Sequence, residues 1–132
     1  MLLVETFVIN LARRKDRRER MEKRLTDASF PSWSFIEGLD ASELGASPYD
    51  TLTSVNLYCA WISHTRAMKR ICLGNHDYAL ILEDDAVLTP ETNWPETLEA
   101  IKNDMVVEDL EYLQIVHISA AYPRSKLTKR IM

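Results

Sequence analysis

The chain has 132 residues and a net charge of −4, with 46% hydrophobic and 27% charged residues. That length predicts a single domain with a real core, and the charge balance predicts an ordinary surface with no nucleic-acid partner. No apolar stretch approaches the length of a membrane span, and Met1-Leu2-Leu3-Val4-Glu5 meets an acid without the basic start of a signal peptide, so a cytoplasmic protein is expected.

Residues 2–11 are largely apolar and rich in β-formers, which predicts a first strand. A helix is predicted from Lys15 or Asp16 to about Ala28, with Met21, Leu25 and Ala28 on its buried stripe. Lys15–Glu19, Arg18–Glu22 and Glu19–Lys23 offer i,i+4 support on its exposed side. Pro31 follows, and Trp33–Ile36 reads as a second strand. Gly38, Gly45 and Pro48, with several Ser and Thr, make residues 38–55 a loop. A second helix is predicted from residues 54–56 to Gly74, which suits the left-handed position after a helix end. Tyr78–Leu82 is a third strand, residues 94–104 a helix opened by Pro95, and Tyr112–Ile118 a fourth strand. This order argues a parallel-rich α/β sheet.

Cys59 and Cys72 fall in one predicted helix, thirteen residues or about 20 Å apart at helical rise. A disulfide needs Cα atoms within roughly 7 Å, so these two cannot pair and are expected to be core thiols. Trp33 and Trp61 are expected in the core as well, and His76 and His117 carry no signal.

Charge is distributed unevenly. Eight of the sixteen basic residues lie between Arg13 and Arg24, and ten of the twenty acids lie between Glu83 and Glu111. Tyr78-Ala79-Leu80-Ile81-Leu82 runs straight into Glu83-Asp84-Asp85. Such an apolar run reads as a buried, central strand, and three adjacent carboxylates repel one another. A divalent metal with oxygen ligands would offset that repulsion, and ligands of open α/β sheets bind at the carboxyl ends of strands. A solvated acidic junction is the plainer alternative. The basic segment poses a similar choice: a helix N-terminus prefers acids, yet this one is crowded with cations, as an anion site or a solvated basic helix would be.

Three blocks taken together resemble a family. Asn10-Leu11-x-Arg13-Arg14-x-Asp16-Arg17-Arg18-x-x-Met21, then Ser63-His64, then Ile81-Leu82-Glu83-Asp84-Asp85 are similar to glycosyltransferase family 25, over residues 4 to about 118. That family includes bacterial lipooligosaccharide galactosyltransferases and collagen galactosyltransferases. The resemblance implies a GT-A-like (Rossmann-like) α/β fold with a parallel-rich sheet flanked by helices. It implies a UDP-sugar donor, usually UDP-galactose, a glycan acceptor, and Mn²⁺ or Mg²⁺ at a DxD-type motif. Asp85 would be the direct metal ligand, while Glu83 or Asp84 would meet sugar, ribose or metal-bound water, Glu83 also serving as a metal ligand. Asn10, Arg13 and Arg17 would lie beside the nucleotide. Contact with the inner face of a membrane and self-association are further expectations.

Two departures bear on this reading. Cys59-Ala60 stands where the family usually has Gly-Cys, which touches any close backbone packing the Gly provides. The chain is also short for a family member, so it is expected to be the donor-binding part, with the catalytic base outside it. His64, beside Ile62, Met68 and Ile71, fits an interior hydrogen-bonded residue better than a catalyst. The competing classes are a non-catalytic nucleotide-binding relative and a Mg²⁺-dependent phosphoryl-transfer or receiver-like domain. The latter would need a phospho-acceptor Asp and a Lys at other strand ends, whereas the first strand ends in Asn10-Leu11.

Overall fold

The computed structural model describes residues 4–44, 52–109 and 111, with the backbone alone for 52–54. The elements run β1 (Val4–Asn10), α1 (Lys15–Asp27), β2 (Trp33–Glu37), a 3-10 turn (Ala41–Glu43), α2 (Leu52–Leu73), β3 (Tyr78–Glu83) and α3 (Trp94–Val107). The predicted strand at 112–118 lies outside the described residues. Two compact units divide the chain, residues 1–95 and 96–132. The second contains most of α3, on which Leu98 and Lys102 are buried.

The first unit is an α/β layer built on a parallel sheet of order β2-β1-β3. Side chains alternate across β1, so its two faces have separate tasks. Phe7 and Ile9 form one core cluster with Ile36 of β2 and Ala67 of α2, against which Ile71, Ala79 and Ile81 also pack. Thr6, Val8 and Asn10 point the other way, toward the side covered by α1. There the guanidinium of Arg18 sits 4.4 Å above the Phe35 ring, and Met21 and Leu25 are fully buried. Val8 is fully buried too, because β1 has a strand on each side and a helix over each face.

β3 differs from the expectation of a buried central strand. Tyr78–Leu82 are half-buried and Glu83 is exposed, and among the described strands β3 is an edge with β1 as its one partner. Two other expectations fail for a related reason: α2 has one face on the sheet and the other open. Cys72 and Trp61 lie on the open face, Trp61 being 66% exposed, so neither is core. Gly74 closes α2 without a left-handed backbone, its N–H donating to the Ile71 carbonyl at 3.0 Å.

The left-handed position occurs instead after α1. Ser29 has φ 58°. Its N–H donates to Thr26 O at 3.1 Å, and the Phe30 N–H reaches back to Leu25 O at 3.0 Å. These are the two bonds of a Schellman ending, accompanied by burial of both Leu25 and Phe30. Phe30 in turn meets Trp94, ring centroids 5.8 Å apart. On the exposed side of α1 the ion pairs are Arg18–Glu22 at 3.6 Å and Lys23–Asp27 at 2.6 Å; the expected pairings of Glu19 with Lys15 and Lys23 do not form.

A serine in this conformation is strained where glycine would not be. Ser29→Gly should therefore raise stability by about 0.5–1 kcal/mol, read as a higher urea midpoint with an unchanged slope. Ser29→Val should lower it.

Candidate functional site

The parallel register brings the carboxyl ends of β1 and β3 side by side, with Ile9 opposite Glu83. The chain leaves β1 as Leu11–Arg14 and leaves β3 through a tight turn in which the Ala86 N–H donates to Glu83 O at 3.0 Å. Asp84, at the head of that turn, is buried. Asn10 Nδ2 donates to its Oδ2 at 2.9 Å, and Arg17 Nη1 donates to its Oδ1 at 3.1 Å. One carboxylate thus ties together the end of β1, the first turns of α1 and the end of β3. Asn10 also donates to Arg14 O at 3.2 Å, and Arg24 Nη1 fastens α1 to Ala86 O at 2.8 Å.

The neighbouring acids have different surroundings. Glu83 is exposed and meets His64 Nε2 of α2 at 3.1 Å. Asp85 is exposed and has no polar partner among the described residues. Alternation explains part of this difference: Glu83 is the last strand residue and points to the α2 side, as Ile9 does, whereas Asp84 has turned beneath α1.

The third wall comes from the segment after β2. Gly38 N–H donates to Asn10 O at 2.9 Å, extending the sheet by one bond, and Leu39 N–H donates to Ser63 Oγ at 2.9 Å. Asp40 is buried, caps the 3-10 turn by accepting from Ser42 N–H at 3.1 Å, and pairs with the guanidinium of Arg13. Ser42's backbone N–H and the Arg13 charge hold the Asp40 carboxyl below its usual range, against the opposing effect of burial. Arg14 does not enter the cleft in this way; it grips Asp16 at 2.9 Å through two nitrogens and so lowers that carboxyl far below its usual value.

These walls enclose a cleft of about 230 Å³. Its floor is apolar, from Ile9, Leu11, Leu39 and Cys59. Its polar edge carries Arg13, Arg17, Asp40, His64, Glu83, Asp84 and Asp85. Burial pushes the Cys59 thiol up, so it lines the floor as a small neutral group. The residues expected beside a nucleotide, Arg13 and Arg17, therefore line one cleft with the acids of the later block, and Asn10 supports it through Asp84. Ser63 and His64 line it too, although Ser63 Oγ is committed to Leu39 N–H and, as donor, to Cys59 O at 2.7 Å. Sequence reasoning missed Asp40, which lay in a stretch read as loop. Its signal was Asp40-Ala41-Ser42-Glu43, a cap residue followed three positions later by an acid.

Among the described residues no group of three His, Cys, Asp or Glu converges as a metal cage. The donor set that does exist is Asp85, with Glu83 beside it. One or two carboxylates at an open edge are hard oxygen ligands of the kind that Mn²⁺ or Mg²⁺ takes together with water.

Comparison with known proteins shows the family. The family profile of glycosyltransferase family 25 (LPS biosynthesis protein) matches residues 3–132, and the chain belongs to that family. It is similar to a protein of Acanthamoeba polyphaga mimivirus provisionally named glycosyltransferase R655. The two are 32% identical over 111 residues, which is 74% of this chain but 33% of the relative. The chain thus spans about a third of that relative's length. No solved structure matches it at a significant level. No helix among the described residues is long and apolar enough to cross a membrane.

The two adjacent aspartates should respond in opposite ways. Asp84→Asn leaves Arg17 without its counter-charge and should cost about 1–3 kcal/mol. Asp85→Asn removes only a repulsive neighbour and should leave the thermal midpoint unchanged or slightly raised. Thermal denaturation of both variants checks the contrast.

Proposed function

We propose that this cleft is the donor site of a hexosyltransferase, which moves galactose from a UDP-sugar to a glycan such as lipooligosaccharide. The observation that carries the reading is the lining of a single cleft at adjacent strand ends: two guanidinium groups, Arg13 and Arg17, with one carboxylate, Asp85, that has no partner among the described residues. A diphosphate needs cationic forks, and Arg supplies them in a geometry that matches phosphate oxygens. A nucleotide-borne divalent ion needs a hard oxygen ligand at the same place, which Asp85 supplies and Glu83 can join. Membership of family 25, described by lipopolysaccharide biosynthesis, supports the choice of sugar transfer and of a surface glycan as acceptor.

Each residue then has a task. Arg13 and Arg17 bind and orient the two phosphates. Asp84 holds Arg17 at the edge of the cleft, and Asn10 holds Asp84. The apolar floor from Ile9 to Leu39 keeps water from the buried side of the donor. His64 steadies Glu83 and is not assigned as a base. A divalent ion, when bound, would offset the charge that builds on the departing diphosphate.

Calorimetric titration with UDP, in the presence and absence of Mn²⁺, tests the assignment. UDP should bind with Mn²⁺ and far more weakly without it, and Asp85→Asn should abolish the Mn²⁺-dependent part. Equal affinity with and without the ion, or no UDP binding at all, would contradict the reading.

A further inference from the structure

The adjacent Ser63-His64 pair resembles a nucleophile beside its base, but the geometry gives the serine other work. Ser63 is 3% exposed. Its Oγ donates to Cys59 O one turn back on α2 and accepts the Leu39 N–H from the segment after β2. Both bonds run to backbone, and neither reaches His64, whose Nε2 is engaged by Glu83. A hydroxyl so committed is a latch between α2 and residues 38–40.

The latch closes on a crowded spot. A Cβ added at Gly38 would lie 3.1 Å from Ser63 Oγ, 3.1 Å from Leu11 Cδ2 and 3.2 Å from Ile9 Cγ2. Gly38 is thus the point at which β1, the exit of β2 and α2 touch, so closely that an added Cβ would push these three side chains by a few tenths of an ångström. Two donors in a row, the N–H groups of Gly38 and Leu39, are fixed on Asn10 O and Ser63 Oγ. The next residue is Asp40, which carries Arg13. Arg13's own side chain is 60% exposed, so its place over the cleft depends on Asp40.

We infer that Ser63 is a positioning residue: through Leu39 it fixes Asp40, and through Asp40 it holds Arg13 over the cleft ready for an anionic ligand. Taking that ligand as a nucleoside diphosphate rests on the function proposed above; the latch itself does not. The titratable groups surrounding Asp40 are Arg13 from the end of β1, Glu43 on its own turn and Cys59 on α2.

Two measurements test this. The first is an NMR titration of the Asp40 carboxyl in the wild type, in Ser63→Ala and in Ser63→Thr. In the wild type it should titrate below the ordinary carboxylate value, near 4. The Ser42 N–H keeps lowering it in every variant, so in Ser63→Ala it should rise part of the way toward that value as Arg13 is released, and Ser63→Thr, which keeps the oxygen, should restore it. Gly38→Ala, which pushes the same segment from the opposite side, should give the same rise and serves if Ser63→Ala folds poorly. A folded Ser63→Ala or Gly38→Ala protein with Asp40 titrating as in the wild type would overturn the inference.

The second is UDP binding with Mn²⁺, measured well below each variant's midpoint. Ser63→Ala should weaken it about tenfold, a difference of ~1.4 kcal/mol, and adding Ser63→Ala to Asp40→Asn should cost nothing further. Losses that multiply in the double variant would overturn the route through Asp40. Absence of UDP binding by the wild type would remove the nucleotide reading, while the titration would still decide for or against the latch.

Discussion

Everything in the first unit that could serve chemistry depends on where one buried carboxylate finds its partners. A buried carboxylate needs a partner for each oxygen, and Asn10 and Arg17 supply one each to Asp84. The consequence is geometric. The end of β1, the start of α1 and the end of β3 are forced to a common point, and the cleft forms along that junction. Asp84 also accounts for the cationic helix start: Arg17 is there as its counter-charge, and Arg24 secures the following turn through Ala86 O.

A second junction, at Gly38, completes the wall on the other side. The two junctions share Asn10, whose side chain serves Asp84 while its carbonyl accepts from Gly38. The polar edge of the cleft is therefore held by side chains whose hydrogen bonds are spent on structure, and this leaves only a few groups free to meet a ligand. That division between holding and meeting is what a preorganised site requires. Residues that look alike in the sequence differ in the same terms: Asp84 is buried with two partners, whereas the adjacent Asp85 is exposed with none among the described residues.

Much of this was legible beforehand. The strands Val4–Asn10, Trp33–Glu37 and Tyr78–Glu83, expected at residues 2–11, 33–36 and 78–82, follow from β-branched and aromatic composition, and the parallel pairing follows from helices between them. The convergence of the basic and acidic blocks follows from the rule that ligands gather at carboxyl strand ends. The part that was not legible depends on three-dimensional neighbours. Trp61 and Cys72 look like core by residue type, but they lie on the face of α2 turned from the sheet. Asp40 sat within a Gly- and Ser-containing stretch, and its partner Arg13 lies 27 positions away. The roles of Ser63 and Gly38 are contacts with backbone, which no local pattern announces.

The most direct test of the account is to locate a bound divalent ion from its magnetic effect. Mn²⁺ titrated into the isotopically labelled protein in the presence of UDP should broaden backbone amide signals around Asp85 first, then those of the Leu11–Arg17 segment across the cleft. Signals of residues 96–109, where other acids lie, should broaden later and less. Broadening that begins among those later acids, or spreads evenly over all exposed carboxylates, would contradict the claim that adjacent strand ends of β1 and β3 form the donor site.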